Sequence, residues 1–282
     1  MYELINGKIV SDYIKQQVKN EIESLGLDIT LAVVIVGENP ASRVYVNNKK
    51  KACEYVGIKS LEYAFSEDAT EIELLNFIDY LNSHDCIDGI LVQLPLPKHI
   101  NESKVLERIN PKKDVDGFTA INTGKLWQGE YTVAPCTAIG IIELLNYYNI
   151  DVAGKNCIIV GRSNIVGKPL AALLLERNAT VTICHSKTKN LSDITNKADI
   201  LISAVGKPKF ITWGLVKKDA IVIDVGINRD ENGKLCGDVD ADSVKDKASL
   251  LTPVPGGVGL MTVAMLMKNT LIAAKYNLTI QN

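Results

Sequence analysis

The 282-residue chain is notable first for what it does not contain. No apolar run approaches the roughly 18 consecutive residues that a membrane-spanning helix needs, so no membrane partner is expected. Charge of neither sign dominates. Thirty-one Lys and Arg stand against 33 Asp and Glu, and no basic run is longer than Lys49-Lys50-Lys51, whose members face different sides of a helix. This excludes the basic surface of a nucleic-acid binder. The six cysteines (53, 86, 136, 157, 184, 236) include no Cys-x-x-Cys pair, and the three histidines (84, 99, 185) have no ligand spacing. Free thiols of a reducing cytoplasm are expected, with no metal site and no disulfide framework. The first residues, Met1 to Lys8, carry no apolar core of signal-peptide length.

What is present is ordinary for a globular protein: 46% hydrophobic and 23% charged residues, in a length that suits two domains. Val10, Ile14, Val18, Ile22 and Leu25 recur at helical spacing. Leu31–Val36 reads as a strand buried on both faces, followed by a helix over 41–56 that stops at Gly57. The alternation repeats as strand 61–65, helix 71–81, strand 87–94 and helix 102–109. Residues 119–134 show no period and read as a linker or loop. After a helix over 137–148 come strands 157–160, 180–184, 200–204 and 221–225, a turn-rich segment 233–259, and a last helix over about 261–276. Strands alternating with helices predict α/β architecture: two α/β domains flanking a cleft, the second with a Rossmann-like parallel sheet. The expected division is 1–120 plus 261–282 against 121–260, the last helix returning to the first domain.

Two groups of residues could carry chemistry. On the helix 41–56, Tyr45, Lys49, Ala52, Cys53 and Val56 share a face that is otherwise apolar and should point inward. A lysine there is either a proton shuttle whose pKa burial lowers or one that snorkels to the helix edge or pairs with a core carboxylate. Gln93 ends a buried strand, at the carboxyl edge where open parallel sheets bind ligands. The turn Lys113-Asp-Val-Asp-Gly117 brings Asp114 and Asp116 toward the same edge. One of them could serve the turn, while a buried one could accept two hydrogen bonds from an amino-heterocycle.

The second group surrounds Gly161-x-Ser163-x-x-x-Gly167. Strand, glycine turn and helix point N–H groups at a phosphate. Relative to the common dinucleotide fingerprint, serine replaces the second glycine and the last glycine comes one residue late. The same turn could merely let a helix pack on a strand. The next strand ends in His185-Ser186-Lys187, where NAD folds place an acid for the ribose. With Arg162 inside the turn, these donors fit a 2′-phosphate and favour NADP; a solvated basic rim would look alike. Pro255-Gly-Gly-Val-Gly259 permits close backbone approach to a ligand, or is a hinge.

Together these segments resemble one family, the bifunctional methylenetetrahydrofolate dehydrogenase/cyclohydrolases of the FolD type. The matching blocks run in family order over nearly the whole chain: Tyr45-Val-Asn-Asn-Lys-Lys-Lys-Ala52, Gly89-Ile-Leu-Val-Gln-Leu-Pro-Leu-Pro97, Pro111-Lys-Lys-Asp-Val-Asp-Gly-Phe118 and Pro135-Cys-Thr137, then Val160 to Pro169, His185 to Thr188 and Thr252 to Gly259. The late glycine is itself a family trait. The resemblance implies that 5,10-methylenetetrahydrofolate gives a hydride to NADP and that the methenyl product is hydrolysed to 10-formyltetrahydrofolate. That places the enzyme in one-carbon metabolism and purine biosynthesis. It implies Lys49 as acid/base, tuned by Gln93, with Tyr45 against the pterin and aminobenzoate part and Asp116 on the pterin's amino and ring N–H groups. Pro255 and Gly256 would add substrate contacts. Gly161, Arg162, Ser163, Gly167, His185, Ser186 and Ile227 would hold the cofactor. A homodimer formed through the cofactor domains is implied too. Formate ligation, which needs a long synthetase extension, is not expected. Two positions depart from the family: Leu260 and Ala138 stand where proline is frequent, which should alter loop stiffness and not activity. A shikimate-dehydrogenase-like oxidoreductase would not require the Gln93 and Pro255 blocks, and a non-catalytic dinucleotide sensor would not keep Lys49 with Gln93.

Overall fold

The computed structural model describes residues 3–38 and 40–281, without the side chains of 40–42 and 279–281. They form two compact units. One, the Lys49 unit, comprises Tyr13–Cys136 and the chain from Val263 on; the other, the glycine-turn unit, comprises the chain up to Asp12 and Thr137–Thr262. The expected division instead put residues 1–12 and 261–262 with the first domain and 121–136 with the second.

A two-residue strand β1 (Glu3–Leu4) precedes α1 (Gly7–Leu25). Of the expected apolar stripe, Val10, Ile14, Val18 and Ile22 are buried, as their spacing requires, whereas Leu25 at the helix end is exposed. β2 (Ile29–Val36) is buried at every position. It is the middle strand of a parallel sheet ordered β3-β2-β4, with β3 (Ile58–Phe65) and β4 (Gly89–Val92) reached through α2 (Pro40–Val56) and α3 (Glu71–Ser83). Thr70 and Glu73 start α3 with a reciprocal capping box, which satisfies two N–H groups that the first helical turn leaves open. Leu74, Ile78 and Leu81 of that helix pack with Val34, Ile90 and Val92 of the sheet and with Val105 of α4 (Glu102–Arg108). Lys113 is buried and its Nζ donates to the carbonyls of Leu81, Asn82 and His84, closing the end of α3.

The segment expected as a loop over 119–134 contains a helix, α5 (Ala120–Gln128). Its sequence buries only Asn122 and Leu126, too few positions to show a period. Capping defines it instead: the Thr119 side chain accepts from Asn122 N–H, and Gly129 closes the helix in the left-handed conformation.

The rest of the chain builds α6 (Cys136–Tyr147), β5 (Asn156–Val160), α7 (Gly167–Glu176), β6 (Thr180–Cys184), α8 (Leu191–Thr195), β7 (Ile200–Ser203) and β8 (Ala220–Asp224). The turn-rich stretch 233–259 carries more regular structure than its sequence suggests. After β9 (Asn228–Arg229) it holds β10 (Leu235–Cys236), α9 (Ala241–Val244) and β11 (Ala248–Leu251), and then α10 (Val258–Gln281) begins. β11 is short and pairs with β8 through an irregular register between Ala248 and Leu250, so no alternation marks it. The sheet runs β1-β11-β8-β7-β5-β6, every pair parallel. Strand order reverses at β5, flanked by β6 on one side and β7 on the other, which is the switch point where such folds bind ligands. Over Val258–Leu278 the last helix is long and apolar enough to cross a membrane, although Lys268-Asn269-Thr270 interrupts its apolar run. Met261, Ala264, Met265, Leu266, Met267 and Leu271 on it are buried within the protein.

Candidate active site

In the Lys49 unit the site begins at the carboxyl end of β4. Gln93 is the first residue past that strand, and its N–H donates to Val34 O at 2.8 Å. Its side chain is held at both ends: Nε2 donates to Leu94 O at 2.7 Å, and Oε1 accepts from Lys49 Nζ at 2.9 Å. The amide is thus oriented with its oxygen toward the ammonium. On α2, Ala52, Cys53 and Val56 are buried as expected, Lys49 is half-buried, and Lys50 and Lys51 are exposed. The inward face does not extend to Tyr45, which is exposed one turn before Lys49. Lys49 therefore stands where the helix leaves the core, its cation turned onto a neutral acceptor.

The two aspartates of the 113–117 turn separate cleanly. Asp114 is buried; its Oδ1 accepts from the N–H groups of Gly117 and Phe118, and its Oδ2 from Thr119 N–H and Asn122 Nδ2. It is the turn residue. Asp116 takes none of these donors and is half-buried. Burial pushes its carboxyl up to about 6, Lys49's charge opposes that rise and Asp114's charge adds to it. The Cys136 thiol faces Asp116, and burial raises that thiol well above its ordinary range. Asn269 of α10 fastens this corner, its Nδ2 donating to Val115 O and Ala134 O, both at 2.9 Å, and lying 3.5 Å from Cys136 Sγ. Neither Cys136 nor Asn269 was among the expected site residues. The polar triplet Lys268-Asn269-Thr270 inside an apolar helix is the signal that points to Asn269.

In the glycine-turn unit, β5 ends at Val160 and Gly161 turns with φ +140°. A β-carbon on Gly161 would lie 2.3 Å from Ala204 O, and one on Gly167 would lie 2.3 Å from Gly161 O. Glycine is required at both because the strand, the turn and the start of α7 touch backbone to backbone. Ser163, in the place of the usual second glycine, braces the turn ahead of the helix: its Oγ accepts from Val166 N–H at 3.2 Å and Gly167 N–H at 3.4 Å. Arg162 and Ser163 are exposed. Gly161 N–H donates to Cys184 O, which brings the end of β6 beside the turn. There His185 N–H is tied to Thr188 Oγ1 at 2.8 Å, and Lys187 N–H donates to His185 Nδ1 at 3.1 Å. Ser186 is exposed on this loop, which holds no acid. An exposed serine, a guanidinium and a helix N-terminus with no carboxylate among them are the donor set that a phosphorylated ribose needs. Ile227 is exposed past the end of β8. Pro255 and Gly256 also lie in this unit, just ahead of α10, and not in the Lys49 unit with the other residues expected on substrate.

Comparison with known proteins matches residues 5–116 to the catalytic domain of tetrahydrofolate dehydrogenase/cyclohydrolase and residues 135–278 to the NAD(P)-binding domain of the same family. The chain is 58% identical over 278 residues to the bifunctional protein FolD of Lachnoclostridium phytofermentans, covering 98% of this chain and 99% of that one. A crystal structure of the bifunctional FolD enzyme from Campylobacter jejuni superposes with a TM-score of 0.95 at 50% identity, covering 98% and 99% of the two chains. A Trypanosoma brucei FolD structure, complexed with NADP cofactor and inhibitor, gives a TM-score of 0.94 at 36% identity, covering 98% of each chain.

Proposed function

The chain belongs to the tetrahydrofolate dehydrogenase/cyclohydrolase family, and on that premise we propose that it oxidises 5,10-methylenetetrahydrofolate with NADP and hydrolyses the methenyl product to 10-formyltetrahydrofolate. The Lys49 unit takes the folate and the glycine-turn unit takes the cofactor. When bound, NADP supplies the two-electron acceptor for a hydride from the methylene carbon. Gly161, Ser163 and Gly167 shape the turn that receives its phosphates, with Arg162, His185 and Ser186 on the 2′-phosphate and Ile227 beside the ring.

The observation that carries the reading is the Lys49–Gln93 hydrogen bond. Oxidation leaves a methenyl cation, an electrophile that water attacks without a covalent nucleophile. The water loses a proton as its oxygen bonds to the methenyl carbon. A proton must then reach the ring nitrogen whose bond to that carbon breaks. The hydroxyl so formed gives up its own proton as the carbonyl forms, so one proton is released in net. One group that, as a free amine, takes the first proton and then delivers it to the leaving nitrogen suffices, and Lys49 is that group. Gln93 accepts from the ammonium and fixes where it points. Asp116, whose oxygens are not used by the turn, accepts from the pterin amino and ring N–H groups, with Tyr45 against the pterin and Pro255 and Gly256 as further substrate contacts. The protein assembles as a homodimer. Substituting Lys49→Met tests the assignment: hydrolysis of added methenyltetrahydrofolate is lost while NADP binding persists. Wild-type hydrolysis in that variant returns Lys49 to a merely structural role.

A further inference from the structure

Asp238 is fully buried in the glycine-turn unit, and five donors converge on its carboxylate. Oδ2 accepts from Val205 N–H at 2.7 Å, Gly206 N–H at 3.2 Å and the Ser203 hydroxyl at 3.3 Å. Oδ1 accepts from Lys207 N–H at 2.9 Å and Asn228 Nδ2 at 2.8 Å. Three consecutive backbone amides in the loop leaving β7 are thus gathered on one side chain. A second loop, leaving β8, is held by the same group through Asn228 and by contact at Gly226, where a β-carbon would lie 2.3 Å from Asp238 Oδ1.

Asp238 is itself fixed from below. Asp224, the last residue of β8, accepts from Asp238 N–H and Gly226 N–H with Oδ1 and from Val239 N–H with Oδ2, each at 2.9 Å. A β-carbon on Gly237 would lie 1.8 Å from Asp224 Oδ2, so the two carboxylates are packed against backbone with no space to spare. Burial foremost, with Asp238's charge adding, pushes Asp224 up to about 6. Two neighbouring buried carboxylates are a costly arrangement, tolerated here because every oxygen is filled by donors. The loops that Asp238 holds are at the carboxyl edge of the sheet, beside the glycine turn. Ala204 N–H donates to Val160 O, and Ala204 O is the atom that Gly161 abuts. The second loop carries Ile227 between its two anchored residues. Gly206, Lys207 and Ile227 present exposed surface while their backbone is pinned from the protein side.

We infer that Asp238 is a positioning residue of the cofactor site, holding the 204–207 and 226–228 loops together as one preorganised wall. The inference rests on the glycine-turn unit seating NADP. Asp238→Asn keeps the size and puts an NH2 group where only donors converge, so whichever oxygen it replaces, amides lose their acceptor. The test measures the dissociation constant of NADP by calorimetry, steady-state oxidation of methylenetetrahydrofolate, and hydrolysis of methenyltetrahydrofolate with no nucleotide present. Asp238→Asn is expected to weaken NADP binding by about tenfold or more and raise its KM in parallel, to hold hydrolysis within about twofold, and to speed amide exchange across 204–207. Unchanged NADP affinity in a folded variant overturns the inference, as does a parallel fall in both activities, which marks a purely structural role. Asn228→Ala, which removes one donor and leaves the carboxylate, covers the case in which Asp238→Asn does not fold. It should weaken NADP binding by about threefold, and no change overturns the inference. Failure of the wild-type protein to bind NADP would instead refute the underlying reading of this unit.

Discussion

Asp114 and Asp116 stand two residues apart in one turn, yet Asp114 accepts four donors from its own loop and Asp116 accepts none of them. The Asp116 carboxyl is raised to about 6, so the ionised acceptor is complete only above that pH. Folate KM in the wild-type protein should climb as pH falls through about 6. Asp116→Asn should flatten that profile and raise KM near neutrality by about tenfold or more, because a charge-assisted pair is lost. The same shift runs against stability. A carboxyl whose pKa rises on folding favours the fold below its unfolded value near 3.8 and loses that contribution as pH rises through about 6. Asp116→Asn should therefore melt above the wild type at neutral pH, read by thermal denaturation. A residue that costs stability and retains function is the expected mark of a binding group.

At the scale of elements, the glycine turn joins β5, α7 and the loop after β7. Gly161→Ala places a carbon 2.3 Å from Ala204 O, an overlap that only backbone movement relieves. NADP-dependent oxidation should fall by about a hundredfold while nucleotide-free hydrolysis is retained. Arg162→Ala should raise KM for NADP by about tenfold or more and leave the value for NAD nearly unchanged, since the guanidinium is assigned to the phosphate that distinguishes them. These elements were legible in the sequence because periodicity marks them: β6 falls where the Thr180–Cys184 run predicts it. Helical spacing puts Lys49 on the inward face and the strand end puts Gln93 at the sheet edge, while their pairing comes only from the family resemblance. What periodicity cannot show is structure made by capping or by long-range acceptance. α5 exists through Thr119 and Gly129 and not through an apolar stripe. β11 is defined by its neighbour β8. Asn269 reaches Val115 across 154 residues of chain, and Asp238 reaches Val205 across 33. The contacts of Asp238 follow from topology, and no local pattern in Gly237-Asp-Val-Asp240 announces them.

At the scale of the whole molecule, the proposed function assigns two reactions to two units of one chain. In that proposal hydride transfer draws on the cofactor elements around Gly161 and the folate elements around Lys49, whereas hydrolysis of the methenyl cation draws only on the latter. The boundaries of the units fall inside three helices: in α1 between Asp12 and Tyr13, at the start of α6 between Cys136 and Thr137, and in α10 between Thr262 and Val263. The most direct test follows both reactions in one cuvette, with purified protein, NADP and 5,10-methylenetetrahydrofolate, recording reduced-nucleotide and methenyl absorbance against time. The account predicts that reduced nucleotide accumulates while methenyl absorbance rises and then decays to the formyl product, and that Lys49→Met abolishes the decay. Absence of nucleotide reduction with either NADP or NAD, or an unchanged decay in Lys49→Met, would contradict it.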